Sequence, residues 1–399
     1  MTNKSTPPGP KWGNAPPKSV VTKVGRPGTG LIAPLPFDYF IPWWRVDFLE
    51  EEARAASEAI LNRRMTMGPL TQEFEGQVAK LLDVPHVVAT NSGSSALILA
   101  LLEAGIGPGD EVIVPNRSWI STANSPRLLG AELVFVDVEP DRPVLDIGAV
   151  EAALTERTRA VIPVHLNGWP CDLPRLRALA RERGLVIIED ACQALLSASP
   201  EGGWLGCHAR AGCFSLAIGK MLSSGQGGFI VTHDQKIARR LSIMRTQGAG
   251  DVTMARWELA GGNFRFWDLP AAVALTQLSR VEEKMKQVRD VYLFYEKRLA
   301  AHPDIELVRR DLSTGQLPLY VDCFCSQRSR LLQFLLDHGI QARPYYQNMS
   351  QAPQFSPRPG TGYPHSDRYA QDGLILPCGP DRTLEELEYA AGVLSRFRL

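Results

Sequence analysis

Between residues 86 and 190 the chain alternates short apolar runs with longer amphipathic stretches, and this alternation limits the possible folds more than any other feature. HVVAT, DEVIVP, AELVFVDV, RAVIPVH and LVIIED have strand length, and SSALILALLEAG, SWISTANSPRLLG, IGAVEAALTERT and LPRLRALARERG have helix length. One of these expected helices carries Pro126 within it. Buried apolar strands separated by helices predict an α/β fold with a mostly parallel sheet covered on both faces. Two earlier helices are expected in DFLEEEARAASEAIL and TQEFEGQVAKLL, the second with Phe74, Val78 and Leu81 on one face.

After Asp190 the repeat breaks. AGCFSLA and GGFIVTH read as strands around a Gly/Ser-rich loop, and DQKIARRLSIMR reads as a helix. Residues 249–265 read as a loop and 268–300 as one long helix. Beyond His302, IELVRR and LPLYVDCF are expected strands, and RSRLLQFLLDHGI and LEELEYAAGVLSRFR expected helices. The pattern divides the chain into an N-terminal arm (1–36), a large α/β domain (37–300) and a small C-terminal α+β domain (301–399). The arm is rich in Pro, Gly, Lys and Ser without apolar periodicity, which predicts disorder or an extended wrap. The aromatic run Tyr39, Phe40, Trp43 and Trp44 is expected to pack against the core or a partner subunit.

Lys+Arg 43 balances Asp+Glu 43, so recognition of nucleic acid or an anionic membrane by bulk charge is not expected. The sequence contains neither a membrane-length apolar stretch nor a signal-peptide pattern, which places the expected chain in the cytoplasm. Its seven cysteines are scattered, and the CxC at Cys323 and Cys325 has no matching pair, so neither a disulfide framework nor a metal site is expected.

Four segments carry chemistry. LVIIED ends in Glu189-Asp190, an acid pair at a strand's carboxyl end, where parallel sheets bind ligands; a cap on the following turn is the structural alternative. CFSLAIGKMLSSGQGG places Lys220 in a Gly/Ser-rich loop five residues after Ser215. A lysine in an apolar setting can form a Schiff base, although taken alone this one reads as a surface lysine. TNSGSSALILAL opens a helix with Ser and Gly, giving either an anion site or a simple N-cap. It is neither a P-loop nor a Rossmann turn. Trp119, just after a strand, offers a ring to stack on a planar group or to fill the core. In this order the four signals match what pyridoxal phosphate requires: donors for the phosphate, a ring, a carboxylate for the pyridine nitrogen and an amine for the aldehyde.

From about residue 38 onward the chain resembles the DegT/StrS family of fold-type I pyridoxal-phosphate aminotransferases. The resemblance rests on MGPLTQEFE, NSGSSALILAL, GDEVIVPNRSWISTANS, GAELVFVDV, RAVIPVHLNG, IIEDACQA, CFSLAIGKML, GQGGFIVT, GGNFRFWDLPAAVALTQL and LPCGP. It implies a seven-stranded type of sheet and a reaction that moves an amino group from glutamate or glutamine to a ketone on a sugar or cyclitol. Lys220 falls on the Schiff-base lysine, Asp190 on the partner of the pyridine nitrogen and Gln193 on the residue beside the phenolic oxygen. Ser94, Ser95 and Ser215 fall on phosphate-binding positions, and Trp119 on the ring stacked over the pyridine. Asn263 falls on a residue that reaches the phosphate across a homodimer interface. His208 and Arg210 depart from the usual pattern, Gly219 and Trp119 look more like the family's cyclitol-aminating branch than its nucleotide-sugar branch, and the substrate stays open. The alternatives are a sugar dehydratase, which the presence of Lys220 disfavours, and a non-catalytic family member.

Overall fold

The computed structural model describes residues 40–251, 254, 256–355 and 360–398. The N-terminal arm and Tyr39 lie outside the described residues. Seven strands form the main sheet: β1 (His86–Thr90), β2 (Glu111–Pro115), β3 (Glu132–Val136), β4 (Thr158–Val161), β5 (Val186–Asp190), β6 (Ala211–Ser215) and β7 (Gly228–Thr232). Their order is β1-β7-β6-β5-β4-β2-β3. The five strands from β3 to β6 pair in parallel, and β7 runs antiparallel to both β6 and β1. The sheet is therefore mostly parallel, as the alternation of apolar runs predicts.

The helices that precede, separate and follow these strands are α1 (Glu50–Leu61), α2 (Pro69–Leu82), α3 (Gly93–Glu103), α4 (Ser121–Leu128), α5 (Ile147–Ala153), α6 (Leu173–Arg183) and α7 (Gln235–Arg245). Side chains alternate across a strand, so each buried strand feeds two cores. Val112, Val114 and Ile188 join Leu97, Leu101 and Leu241 on one face. Ile113 and Ile187 join Val134, Val161 and Leu176 on the other. Pro126 lies inside α4, which persists for eight residues.

Two expectations need correction. The segment read as a loop at 249–265 contains a hairpin, β8 (Ala249–Asp251) with β9 (Arg256–Trp257). The single long helix is two, α8 (Asp268–Ser279) and α9 (Val281–Leu299). Arg280 separates them with φ −110° and ψ 15°, its N–H tightened onto the Gln277 carbonyl at 3.2 Å. Its guanidinium then grips Asp47 at 2.8 Å and Glu52 at 2.6 Å, while Lys284 also pairs with Asp47. The helix break thus fastens α1 to α8, a tertiary contact that helical periodicity does not encode.

A second sheet follows, in order β10-β11-β13-β12: β10 (Glu306–Leu307), β11 (Val321–Phe324), β12 (Arg343–Pro344) and β13 (Gly373–Leu376). The remaining helices are α10 (Arg328–Asp337), α11 (Pro364–Asp372) and α12 (Leu384–Leu394). Sequence reading gave no strand at β12 or β13 and no helix at α11.

Phe74 on α2 is fully buried between the rings of Phe229 (6.0 Å) and Phe266 (5.7 Å). It therefore ties α2 to β7 and to the segment that leads into α8. Replacing it with alanine removes that ring and leaves a cavity, a loss of about 3–5 kcal/mol. Urea denaturation of Phe74→Ala should show that drop; an unchanged midpoint would refute the packing described.

Candidate active site

Successive residues of β5 face opposite ways, and this separates the two acids at its end. Glu189 is completely buried. It accepts hydrogen bonds from His165 Nε2 (2.8 Å) and from the N–H groups of Gly206 (3.0 Å), His208 (2.7 Å) and Ala209 (2.7 Å). Because His165 Nδ1 accepts from the Cys171 N–H, the ring donates through Nε2. Burial pushes the Glu189 carboxyl up, but these donors outweigh it and hold the group below its usual range. Glu189 thus anchors the 206–209 loop. The neighbouring Arg210 is equally occupied, paired with Glu103 at 2.8 Å.

Asp190 faces the other way and is also buried. Its Oδ2 accepts from Thr122 Oγ1 at 2.7 Å and its Oδ1 from the Cys192 N–H at 3.1 Å. The second bond is the turn cap that the sequence left open. The first comes from α4, 68 positions away, and was not anticipated.

Helix α3 begins beside this carboxylate. Ser92 is its N-cap, accepting from the Ser95 N–H at 3.0 Å, and Ser95 Oγ donates to Asn91 Oδ1 at 2.6 Å. Ser95 is therefore committed within the cap. Ser94 Oγ lies 2.7 Å from Ser121 Oγ at the start of α4. The N–H groups of Gly93 and Ser94 have no hydrogen-bond partner among the described residues. A Cβ at Gly93 would come within 2.9 Å of both Cys192 Sγ and Ser215 Cβ, so only glycine lets the helix start approach the ends of β5 and β6 this closely. Gly93 is a site position that the reading of the two serines missed.

Lys220 sits in the loop after β6, held from two sides. Trp44 Nε1 donates to the Ile218 carbonyl at 2.8 Å, and Tyr320 OH to the Gly219 carbonyl at 2.8 Å. The aromatic run thus fastens the lysine loop. Lys220 itself is half-buried; its N–H donates to the Ala217 carbonyl at 3.0 Å, and its side-chain amine has no hydrogen bond or ion pair among the described residues. Burial lowers its pKa from the ordinary lysine value; the charge of Arg343 adds to that, and Asp190 opposes it.

Arg343, in β12, forms the opposite wall. Its guanidinium lies over Trp43 (4.6 Å), Tyr346 (5.2 Å) and Trp119 (5.7 Å), without an acidic partner among the described residues. Trp119 meets Tyr346 edge-on at 5.5 Å and is 51% exposed. Gln193 accepts from the Asn167 N–H at 3.1 Å and donates to Tyr346 OH at 3.4 Å. Contacts and fields therefore link Ser94, Trp119, Asp190, Gln193, Ser215 and Lys220 into one neighbourhood. Asn263 lies beside the α3 cap, its carbonyl accepting from Asn91 Nδ2 at 3.4 Å. Exposed, it accepts from Arg265 Nε at 2.9 Å and lines a cavity of about 220 Å³ with Met65, Asn91 and Trp267.

Free N–H groups at a helix start, a strand-end hydroxyl, a fixed carboxylate and an unpaired amine form a donor set that fits pyridoxal phosphate. Residues 47–395 match the DegT/DnrJ/EryC1/StrS aminotransferase family. The chain belongs to this family. It is a pyridoxal-phosphate-dependent aminotransferase. It is 32% identical to a GDP-perosamine synthase of Caulobacter vibrioides, over 83% of this chain and 91% of that one. It is 35% identical to a dTDP-3-amino-3,4,6-trideoxy-alpha-D-glucose transaminase of Streptomyces venezuelae, over 84% and 92%. The crystal structure of S. venezuelae DesV in complex with a ketimine intermediate superposes with a TM-score of 0.84 at 31% identity, covering 90% of this chain and 98% of that one. An E. coli GDP-4-keto-6-deoxy-D-mannose-3-dehydratase, at 22% identity, 89% and 100% coverage and a TM-score of 0.81, shares the fold.

The depressed pKa of Lys220 has a direct readout in the cofactor-free aminotransferase. Its neutral form persists to lower pH than that of an exposed lysine, so an amine-acylating reagent should modify it with a midpoint below that of the other lysines. A midpoint at or above theirs, read peptide by peptide by mass spectrometry, would contradict the burial described.

Proposed function

We propose that this aminotransferase moves an amino group from glutamate or glutamine to the ketone of a nucleotide-linked keto-sugar. The carrying observation is Lys220, an unpaired, half-buried amine between Asp190 and Arg343. The nucleotide-sugar names of both curated relatives support the acceptor class. A cyclitol ketone is the second reading, favoured by Gly219 and Trp119, where the sequence departs toward the cyclitol-aminating branch.

When bound, the cofactor supplies an aldehyde and an electron-withdrawing ring that carries the amino group between substrates. In this proposal the Gly93 and Ser94 N–H groups and the Ser94 and Ser215 hydroxyls hold the phosphate. Asp190 keeps a proton on the ring nitrogen, and Thr122 keeps Asp190 in place. Trp119 covers the ring face and Gln193 binds the ring oxygen. Lys220 Nζ would hold the cofactor; once displaced, it would take the proton from the donor Cα as a base and, as an acid, deliver it to the carbon that bore the aldehyde. A lowered pKa suits both roles, because the amine must be neutral to accept that proton. Arg343 binds the donor's carboxylate, its planar fork held over Trp43.

The protein acts as a homodimer, with Asn263 of each subunit completing the other subunit's site. Its exposed side chain, lining an open cavity with Met65 and Trp267, supports this arrangement. Lys220→Ala should lower turnover by about 10²–10⁴-fold or more. Mixed dimers of Lys220→Ala and Asn263→Ala subunits should regain about half the per-dimer activity, because one composite site is intact. An active monomer in sedimentation, or no recovery after proven subunit exchange, would end the shared-site reading. The acceptor class is read by loading the amino form of the cofactor and finding which ketone, nucleotide-linked or cyclitol, discharges it; discharge by neither would refute the proposed acceptors.

A further inference from the structure

Gln193 is gripped from two sides, and both grips lead to one buried acid in the second sheet. On the first side, Asn167 holds a left-handed conformation (φ 52°), which asparagine tolerates, and its N–H donates to Gln193 Oε1. The Asn167 side chain is clamped by the Tyr320 backbone, Nδ2 to the carbonyl at 3.0 Å and Oδ1 from the N–H at 2.6 Å. Nδ2 also donates to Asp322 Oδ2. On the second side, Gln193 Nε2 donates to Tyr346 OH, and the adjacent Tyr345 OH donates to the same Asp322 Oδ2 at 3.3 Å. Asp322 is 2% exposed. Its other oxygen, Oδ1, has no hydrogen-bond partner among the described residues.

We propose that Asp322 is a positioning residue of the aminotransferase, setting Gln193 and Tyr346 through Asn167 and Tyr345 without touching either of the residues it positions. The proposal rests on the reading that Gln193 faces the cofactor.

The surroundings leave this carboxyl as the group whose charge changes near neutrality. Burial pushes Asp322 up to about 6, opposed chiefly by Arg310, whose Nη2 lies 3.8 Å away, and by Arg117. Arg117 donates to the Tyr346 carbonyl and lies 4.7 Å over the Tyr345 ring. The phenols that face Asp322 are Tyr292, Tyr320, Tyr345, Tyr346 and Tyr369, and the thiols are Cys323 and Cys378. Burial pushes all of them above their ordinary values, so they stay neutral. Above about pH 6 the anion draws in the Asn167 amide and the Tyr345 phenol. Below it, the neutral acid binds both more weakly, and the two grips on Gln193 loosen.

The test compares kcat of the holoenzyme with that of Asp322→Asn, which keeps the shape and cannot ionise. The wild-type to variant ratio should be about tenfold above pH 7 and fall toward one as pH drops through about 6, with KM for both substrates changed little. In a Gln193→Ala background the same ratio should shrink to less than twofold, because the effect travels through Gln193. A ratio of one throughout, a ratio independent of pH, or one that persists without Gln193 would each overturn the proposal. Should Asp322→Asn not fold, Tyr345→Phe removes a single donor and should move the acid limb of kcat to higher pH; an unmoved limb would overturn the proposal equally. Lys220→Ala serves as the control: if it remains active, the catalytic reading itself has failed, whereas an inactive Lys220→Ala beside a silent Asp322→Asn removes only the positioning role.

Discussion

Asp190 ends a strand buried on both faces, and its two carboxylate oxygens are committed in different directions, to the Thr122 hydroxyl and to the Cys192 N–H. A carboxylate is costly to bury unless donors replace the water it loses. Here a turn supplies one donor and α4 the other, so the position of α4 relative to β5 fixes the acid. That position follows from the parallel sheet, where the segment after β2 and the segment after β5 emerge at the same edge. The start of α3 is drawn to the same place by the close approach that Gly93 permits. The gathering of Asp190, Thr122 and the start of α3 at one sheet edge is thus a consequence of strand order.

The second sheet supplies the other half of the site. Tyr320, just before β11, bonds to the Lys220 loop through its hydroxyl and to Asn167 through its backbone. Its ring closes a triangle with Trp43 and Trp44 at 5.5–6.1 Å. One residue therefore registers the lysine, the aromatic wall and the Gln193 support against each other. Asn116 and Asp137, just past the ends of β2 and β3, accept from the backbone of Ser350 and Ser366 and fasten the segments that follow β12. These polar bonds link the two sheets alongside the core that Phe324 and Tyr345 share with Ile113 and Ile187.

The strands of the main sheet were legible because each is a short apolar run, and the start of α3 because Ser-Gly-Ser-Ser precedes a long apolar helix. Lys220 and Asp190 were legible as chemistry only together, since each alone has an ordinary structural explanation. Thr122, Arg343, Tyr320 and Tyr346 were not found. They reach the site from distant segments, and a threonine, an arginine or a tyrosine at such spacing carries no local signal. β12 and β13 were missed because Arg343–Pro344 is too short for alternation and Gly373–Leu376 lies directly against α11. The helix break at Arg280 depends on acids more than 200 positions away. Ser95 shows the reverse limit: its type suits a phosphate donor, while its geometry commits it to the helix cap.

The central claim is that the Lys220 amine holds the cofactor at the edge of the main sheet. Borohydride fixes the cofactor on whichever amine it is joined to, and peptide mass spectrometry then locates it. The account predicts the cofactor's mass on the peptide containing Lys220 and on no other lysine peptide; its appearance on a different lysine, or on none after reduction of fully loaded protein, would contradict it.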